Sequence, residues 1–168
     1  MDVQSALDPP ARARCLATLD SLASLLEVVD AFCSRHGIDH DSAHDLHLIA
    51  EEACMNVISH AYPASAPGPL TLQLRMQAHP TRPAVALTVE DHGMPFNPLA
   101  LPAPDARRPL AERPVGGLGV MLIRRLSHAQ HYTHDPARGN ALTVLKVLPP
   151  IGGAPHHPSG DPRGTNEQ

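Results

Sequence analysis

The chain has 168 residues, 42% of them hydrophobic, and a formal charge of −4, which suits a single domain with its own core and supplies no basic face for nucleic acid. No apolar run is long enough to span a bilayer, and the opening MDVQSALDPP lacks the basic start and apolar stretch of a signal peptide, so the expected compartment is the cytoplasm with no membrane partner. Cys15, Cys33 and Cys54 suggest no disulfide framework or CxxC metal site, and a chain without Trp and with two Phe and two Tyr has no stacking platform for bases.

Residues 1–11, which contain a Pro pair, read as a flexible lead-in, with a short strand expected around Arg14 to Thr18. Leu22, Leu25, Leu26, Val29 and Phe32 then recur at helical spacing, with Asp20 or Ser21 as cap and Gly37 just past the end. A second helix follows in HDSAHDLHLIAEEACMNVISHAYP, where Leu46, Ile49, Ala50, Ala53 and Val57 form one stripe, Asp41 or Ser42 caps the start and Pro63 ends it. LTLQLRMQ and VALTVEDHG alternate apolar and polar residues and predict an antiparallel hairpin. Residues 98–115 are rich in Pro, Ala and Arg without periodicity, and read as a long functional loop. GGLG then opens a third helix, VMLIRRLSHA, and QHYTHD with NALTVLKVL predicts two more strands around an RGN turn. Residues 151–168 read as a disordered tail, which leaves 12–150 as the folded domain.

Three fragments carry candidate chemistry. Glu52 and Asn56 lie one helical turn apart, only about 40° around the helix, flanking the stripe of Ile49 and Ala53. A carboxylate there can act as a general base or orient water, and an amide oxygen can join the oxygen shell of Mg²⁺; taken alone, the pair also fits a solvated helix flank. Asp91 and Gly93 close an apolar strand, where an acceptor carboxylate can meet an exocyclic amine, although Asp and Gly are also common in ordinary turns. Gly116, Gly117 and Gly119 precede an amphipathic helix and leave backbone N–H groups free for phosphate; the same glycines would serve a flexible helix entry, and they match neither a P-loop nor a dinucleotide fingerprint. His36, His40, His44 and His47 have the spacing of a helical metal site, but Gly37 and the Asp41 and Ser42 cap signals interrupt the helix before His44.

The order of these fragments resembles the GHKL, or Bergerat, ATP-binding superfamily, and within it the bacterial anti-sigma factor serine kinases, from about Leu16 to Leu148. The resemblance implies an α/β two-layer sandwich with a mixed, mainly antiparallel sheet covered on one face by helices. It further implies Glu52 as catalytic base, Asn56 as the Mg²⁺ ligand, Asp91 at the adenine amine, Gly93 in the base pocket, and Gly116, Gly117, Leu118 and Gly119 at the phosphates of ATP. Thr143, near Lys146 on the closing strand, is assigned close to the nucleotide on the same ground. Ser127 and His128 replace the acid common after the third helix in such kinases, and Arg107, Arg108 and Arg113 in the loop have the guanidinium chemistry to reach phosphates.

The function so implied is an ATP- and Mg²⁺-dependent serine kinase that phosphorylates an anti-sigma-factor antagonist and sequesters an alternative sigma factor, as a homodimer. The alternative is a nucleotide-sensing binding module without phosphoryl transfer. The catalytic half of a sensor histidine kinase shares the ATP fold, but this chain carries no helical hairpin with a phospho-accepting His. A zinc-binding helix module would rest on the histidines alone.

Overall fold

The computed structural model describes residues 9–79, 82–100 and 117–150. Five strands, β1 (Ala11–Leu16), β2 (Pro69–Gln77), β3 (Ala84–Asp91), β4 (Ala129–Asp135) and β5 (Gly139–Val147), form one sheet in the order β1-β2-β3-β5-β4. Every pairing is antiparallel, so the expected mainly antiparallel sheet is antiparallel throughout its described strands. Three helices, α1 (Leu19–Arg35), α2 (His40–His60) and α3 (Gly117–Leu126), pack on one face of it.

The period-two pattern decides which face is covered. Leu70, Leu72 and Leu74 of β2, Val85, Leu87 and Val89 of β3, and Leu142 and Val144 of β5 point inward and meet Leu25, Val29 and Phe32 of α1, Leu46, Ile49 and Ala53 of α2, and Ile123 of α3. With so few aromatics, aliphatic side chains build most of this core, each contributing about 1.5–3 kcal/mol when fully buried. The other face carries polar pairs: Arg12 Nη2 lies 3.4 Å from Glu90 Oε2, and the Thr88 and Thr143 hydroxyls are 3.1 Å apart.

The helix starts differ from expectation by two or three residues. The residue at the cap position of α1 is Thr18, whose hydroxyl bonds to that of Ser21 rather than to a backbone N–H, so neither Asp20 nor Ser21 is the cap. Asp39 caps α2, accepting from the Ser42 N–H at 3.0 Å, which draws the helix start ahead of Asp41 and Ser42. Gly37, with φ at 58°, makes the left-handed turn between α1 and α2. The third helix begins at the glycines and stops at Leu126, where Ser127 Oγ donates back to the Ile123 carbonyl at 2.5 Å.

Candidate functional site

The end of α2, the end of β3 and the start of β5 converge on a cleft of about 430 Å³, its open mouth included, to which α2 contributes Asn56, His60 and Ala61. Because α2 turns by about 100° per residue, Ala53 faces the core while Asn56 stands at the margin of the buried stripe. Asn56 Nδ2 is buried and has no hydrogen-bond partner. A buried amide nitrogen without an acceptor costs about 1–3 kcal/mol, a penalty that an acceptor brought by a ligand removes.

Tyr62, just after α2, fixes the cleft's lower edge, with its hydroxyl donating to the Pro69 carbonyl at 2.8 Å and accepting the His92 N–H at 2.7 Å. The Met94 N–H reaches the Ala61 carbonyl at 3.0 Å, so the turn after β3 is sewn to the end of α2. Asp91, 7% exposed, terminates β3 and accepts at Oδ1 from the Gly93 N–H and from Asn140 Nδ2, both at 2.8 Å. Its second oxygen, Oδ2, bonds to no described residue. Nothing in the sequence singled out Tyr62 or Asn140; the period-two alternation of NALTVLKVL, which puts Asn140 on the same face as Leu142, was the available signal for the latter.

One turn before Asn56, Glu52 packs against the first turn of α3, where a side chain at Gly119 would collide with the Glu52 carboxylate. Glycine at 119 is therefore what lets the helix start approach the acid. Burial, reinforced by the neighbouring Glu51 carboxylate, holds the Glu52 carboxyl above its usual pKa. Glu52 makes no hydrogen bond to a described residue.

The sequence-assigned residues thus divide. Asn56 and Asp91 line the cleft, whereas Glu52 and Gly119 meet each other one helical turn back along α2, outside its lining. Gly117 is the first residue of α3, and the side chain of Leu118 is exposed rather than turned inward. Gly93 is next to the cleft-lining Met94 and lies against the Ala61 carbonyl so closely that a Cβ has no room, which makes its glycine a requirement of the turn. Thr143 is displaced from its assignment. It alternates with Leu142 and Val144 and so points to the opposite sheet face, bonded to Thr88. Lys146 sits at the far end of β5, opposite Val85, and there forms an ion pair with Asp45 and donates to the Leu126 carbonyl at 2.9 Å. Gly116, Arg107, Arg108, Arg113 and the tail lie outside the described residues. The histidine series does not gather into a metal site: among the described residues no three His, Cys, Asp or Glu converge, and His47 Nδ1 instead lies 2.8 Å from Asp30 Oδ1.

A magnesium nucleotide suits these donors. The orphaned Asn56 Nδ2 can donate to a phosphate oxygen while its carbonyl oxygen is of the type that Mg²⁺ takes, and the unpartnered Asp91 oxygen can accept from an amine.

Known proteins resemble this chain in sequence and in fold. The serine/threonine-protein kinase BtrW of Bordetella bronchiseptica is 36% identical over 87 residues, covering 52% of this chain and 58% of that protein. The serine-protein kinase RsbW of Halalkalibacterium halodurans is 30% identical over 124 residues, covering 71% of this chain and 72% of its own length. A crystal structure of the RsbU and RsbW domains of Rv1364c from Mycobacterium tuberculosis superposes with a TM-score of 0.60 at 16% identity, over 84% of this chain and 33% of that one, and so shares the fold. The histidine kinase-like ATPase domain family matches residues 15–146, and the chain belongs to that family.

Proposed function

We propose that the protein is an ATP- and Mg²⁺-dependent serine kinase that phosphorylates an anti-sigma-factor antagonist and otherwise sequesters an alternative sigma factor, acting in the cytoplasm as a homodimer. The observation that carries the reading is the junction of Glu52 with Gly119 at the start of α3, one helical turn from an Asn56 amide whose buried nitrogen lacks a partner. The names of the relatives, serine-protein kinases, support the same reaction class.

Bound ATP would supply the phosphoryl group, and Mg²⁺ would supply the charge that bridges its phosphates. Asn56 would hold the metal through its amide oxygen, Asp91 would accept from the base amine, and the backbone N–H groups at the start of α3 would serve the phosphates. Glu52 would orient the serine hydroxyl and take its proton; burial and the neighbouring Glu51 raise its pKa and make it a stronger base than an ordinary glutamate.

The test is transfer from γ-labelled ATP to the serine-bearing antagonist of the same genome. Labelled phosphoserine is expected with the native protein, falling by about 10²–10⁴ in Glu52→Ala. Absence of phosphoserine with the native protein, or undiminished transfer in the variant, would defeat the kinase reading; nucleotide binding without transfer would favour the sensing module.

A further inference from the structure

Asn140 stands in the middle of a row that crosses three strands. It is paired directly with Asp91 on β3 and with His134 on β4, and it is 4% exposed. Its carboxamide is fully engaged. Nδ2 donates to Asp91 Oδ1 at 2.8 Å and lies 3.3 and 3.4 Å from the Gly93 and Met94 carbonyl oxygens. Oδ1 accepts from the Tyr132 hydroxyl at 2.8 Å and from His134 Nδ1 at 2.9 Å.

Chemistry sets the sense of this amide. Three acceptors surround one end, and turning the group over would place its oxygen against a carboxylate and two carbonyls. The opposite end is then met by donors, so His134 carries a proton on Nδ1 and the Tyr132 hydroxyl points its proton at Asn140. The amide and the Gly93 N–H together commit Asp91 Oδ1 inward, which leaves Oδ2 as the carboxylate atom available to the cleft.

We infer that Asn140, oriented by Tyr132 and His134, is a positioning residue that fixes Asp91 as a pure acceptor and so sets a preference for adenine over guanine nucleotides. The inference rests on the nucleotide reading proposed above. Adenine presents an amino group where guanine presents a carbonyl oxygen, and an immobile acceptor bonds the first and repels the second. A carboxylate free to rotate, or protonated and able to donate, discriminates less. His134 is exposed and does not line the cleft, so it offers a handle on the network that touches no ligand.

The test is calorimetric titration of the full chain with ADP and with GDP, each with Mg²⁺. Asn140→Asp preserves shape but sets carboxylate against carboxylate at Asp91, so the pair repels until it shares a proton. The titratable groups facing position 140 are Asp91, Tyr132 and His134, with His60 across the cleft. The native protein should prefer ADP. In Asn140→Asp, ADP affinity should fall by about tenfold or more near pH 8 and recover toward about pH 5.5, relative to the native protein at the same pH. In His134→Ala, ADP affinity should fall by about threefold, with a narrowed preference over GDP and an unchanged thermal midpoint. An ADP affinity and preference in Asn140→Asp equal to the native values, or an equal loss for both nucleotides, would overturn the inference. Should that variant not fold, unchanged affinity and preference in His134→Ala would overturn it alone. A native protein that binds neither nucleotide would instead defeat the functional proposal on which the inference stands.

Discussion

Replacing Gly119 with alanine separates the placement of the Glu52 carboxylate from the stability of the fold. A Cβ at position 119 would overlap Glu52 Oε2 and come within 3.0 Å of its carboxylate carbon. The obstacle is the far end of a flexible side chain, so the strain is relieved by Glu52 turning aside, at a cost of about 0.5–1.5 kcal/mol for a displaced rotamer. Alanine recovers about 1 kcal/mol over glycine in a helix, so the two effects nearly cancel. The thermal midpoint should therefore stay within about 5 °C of the native value. The carboxylate oxygen, however, has to move by on the order of 1 Å, and such a misplacement costs on the order of 10² in rate. Melting followed by circular dichroism, run beside transfer from γ-labelled ATP, measures both quantities. Transfer within about threefold of native, or a midpoint lowered by more than about 10 °C, would refute the reasoning: the first would mean that the carboxylate need not sit against Gly119, the second that α3 itself cannot yield.

Two further outcomes follow from the same geometry. The folded-state pKa of Glu52 lies above its unfolded value, so the stability linked to its protonated form is fully present below the unfolded pKa and is lost as pH rises through the folded pKa. Glu52→Gln should therefore abolish that loss, gaining on the native protein between acidic and neutral pH in urea unfolding; an identical difference at both pH values would contradict it. Lys146→Ala removes the partner of Asp45 and a donor to the last turn of α3, where the Lys146 side chain is 12% exposed. It should cost about 1–3 kcal/mol in urea unfolding while leaving ADP affinity within about twofold, and a loss of ADP binding without loss of stability would place Lys146 in the site after all.

What the sequence alone determined was local and periodic. The stripe of Leu46, Ile49 and Ala53 specified α2, and its 3.6-residue repeat already put Glu52 and Asn56 side by side on the margin of that stripe. The alternation in LTLQLRMQ and VALTVEDHG specified the hairpin that carries Asp91 to a strand end, because a half-buried strand must alternate. The glycines before VMLIRRL marked the helix start that meets the acid. The same alternation was legible in NALTVLKVL, yet Thr143 was matched there by motif rather than by face, and its parity with Thr88 removes it from the cleft. Only the tertiary structure decided the remainder, since those contacts join residues far apart in the chain. Asn140 meets Asp91 across 49 residues, and Lys146 meets Asp45 across 101. Gly93 and Gly119 proved to need their missing side chains because of Ala61 and Glu52. A side chain's periodicity is set by its own backbone, whereas its partner is set by strand order and helix packing, which no local pattern records.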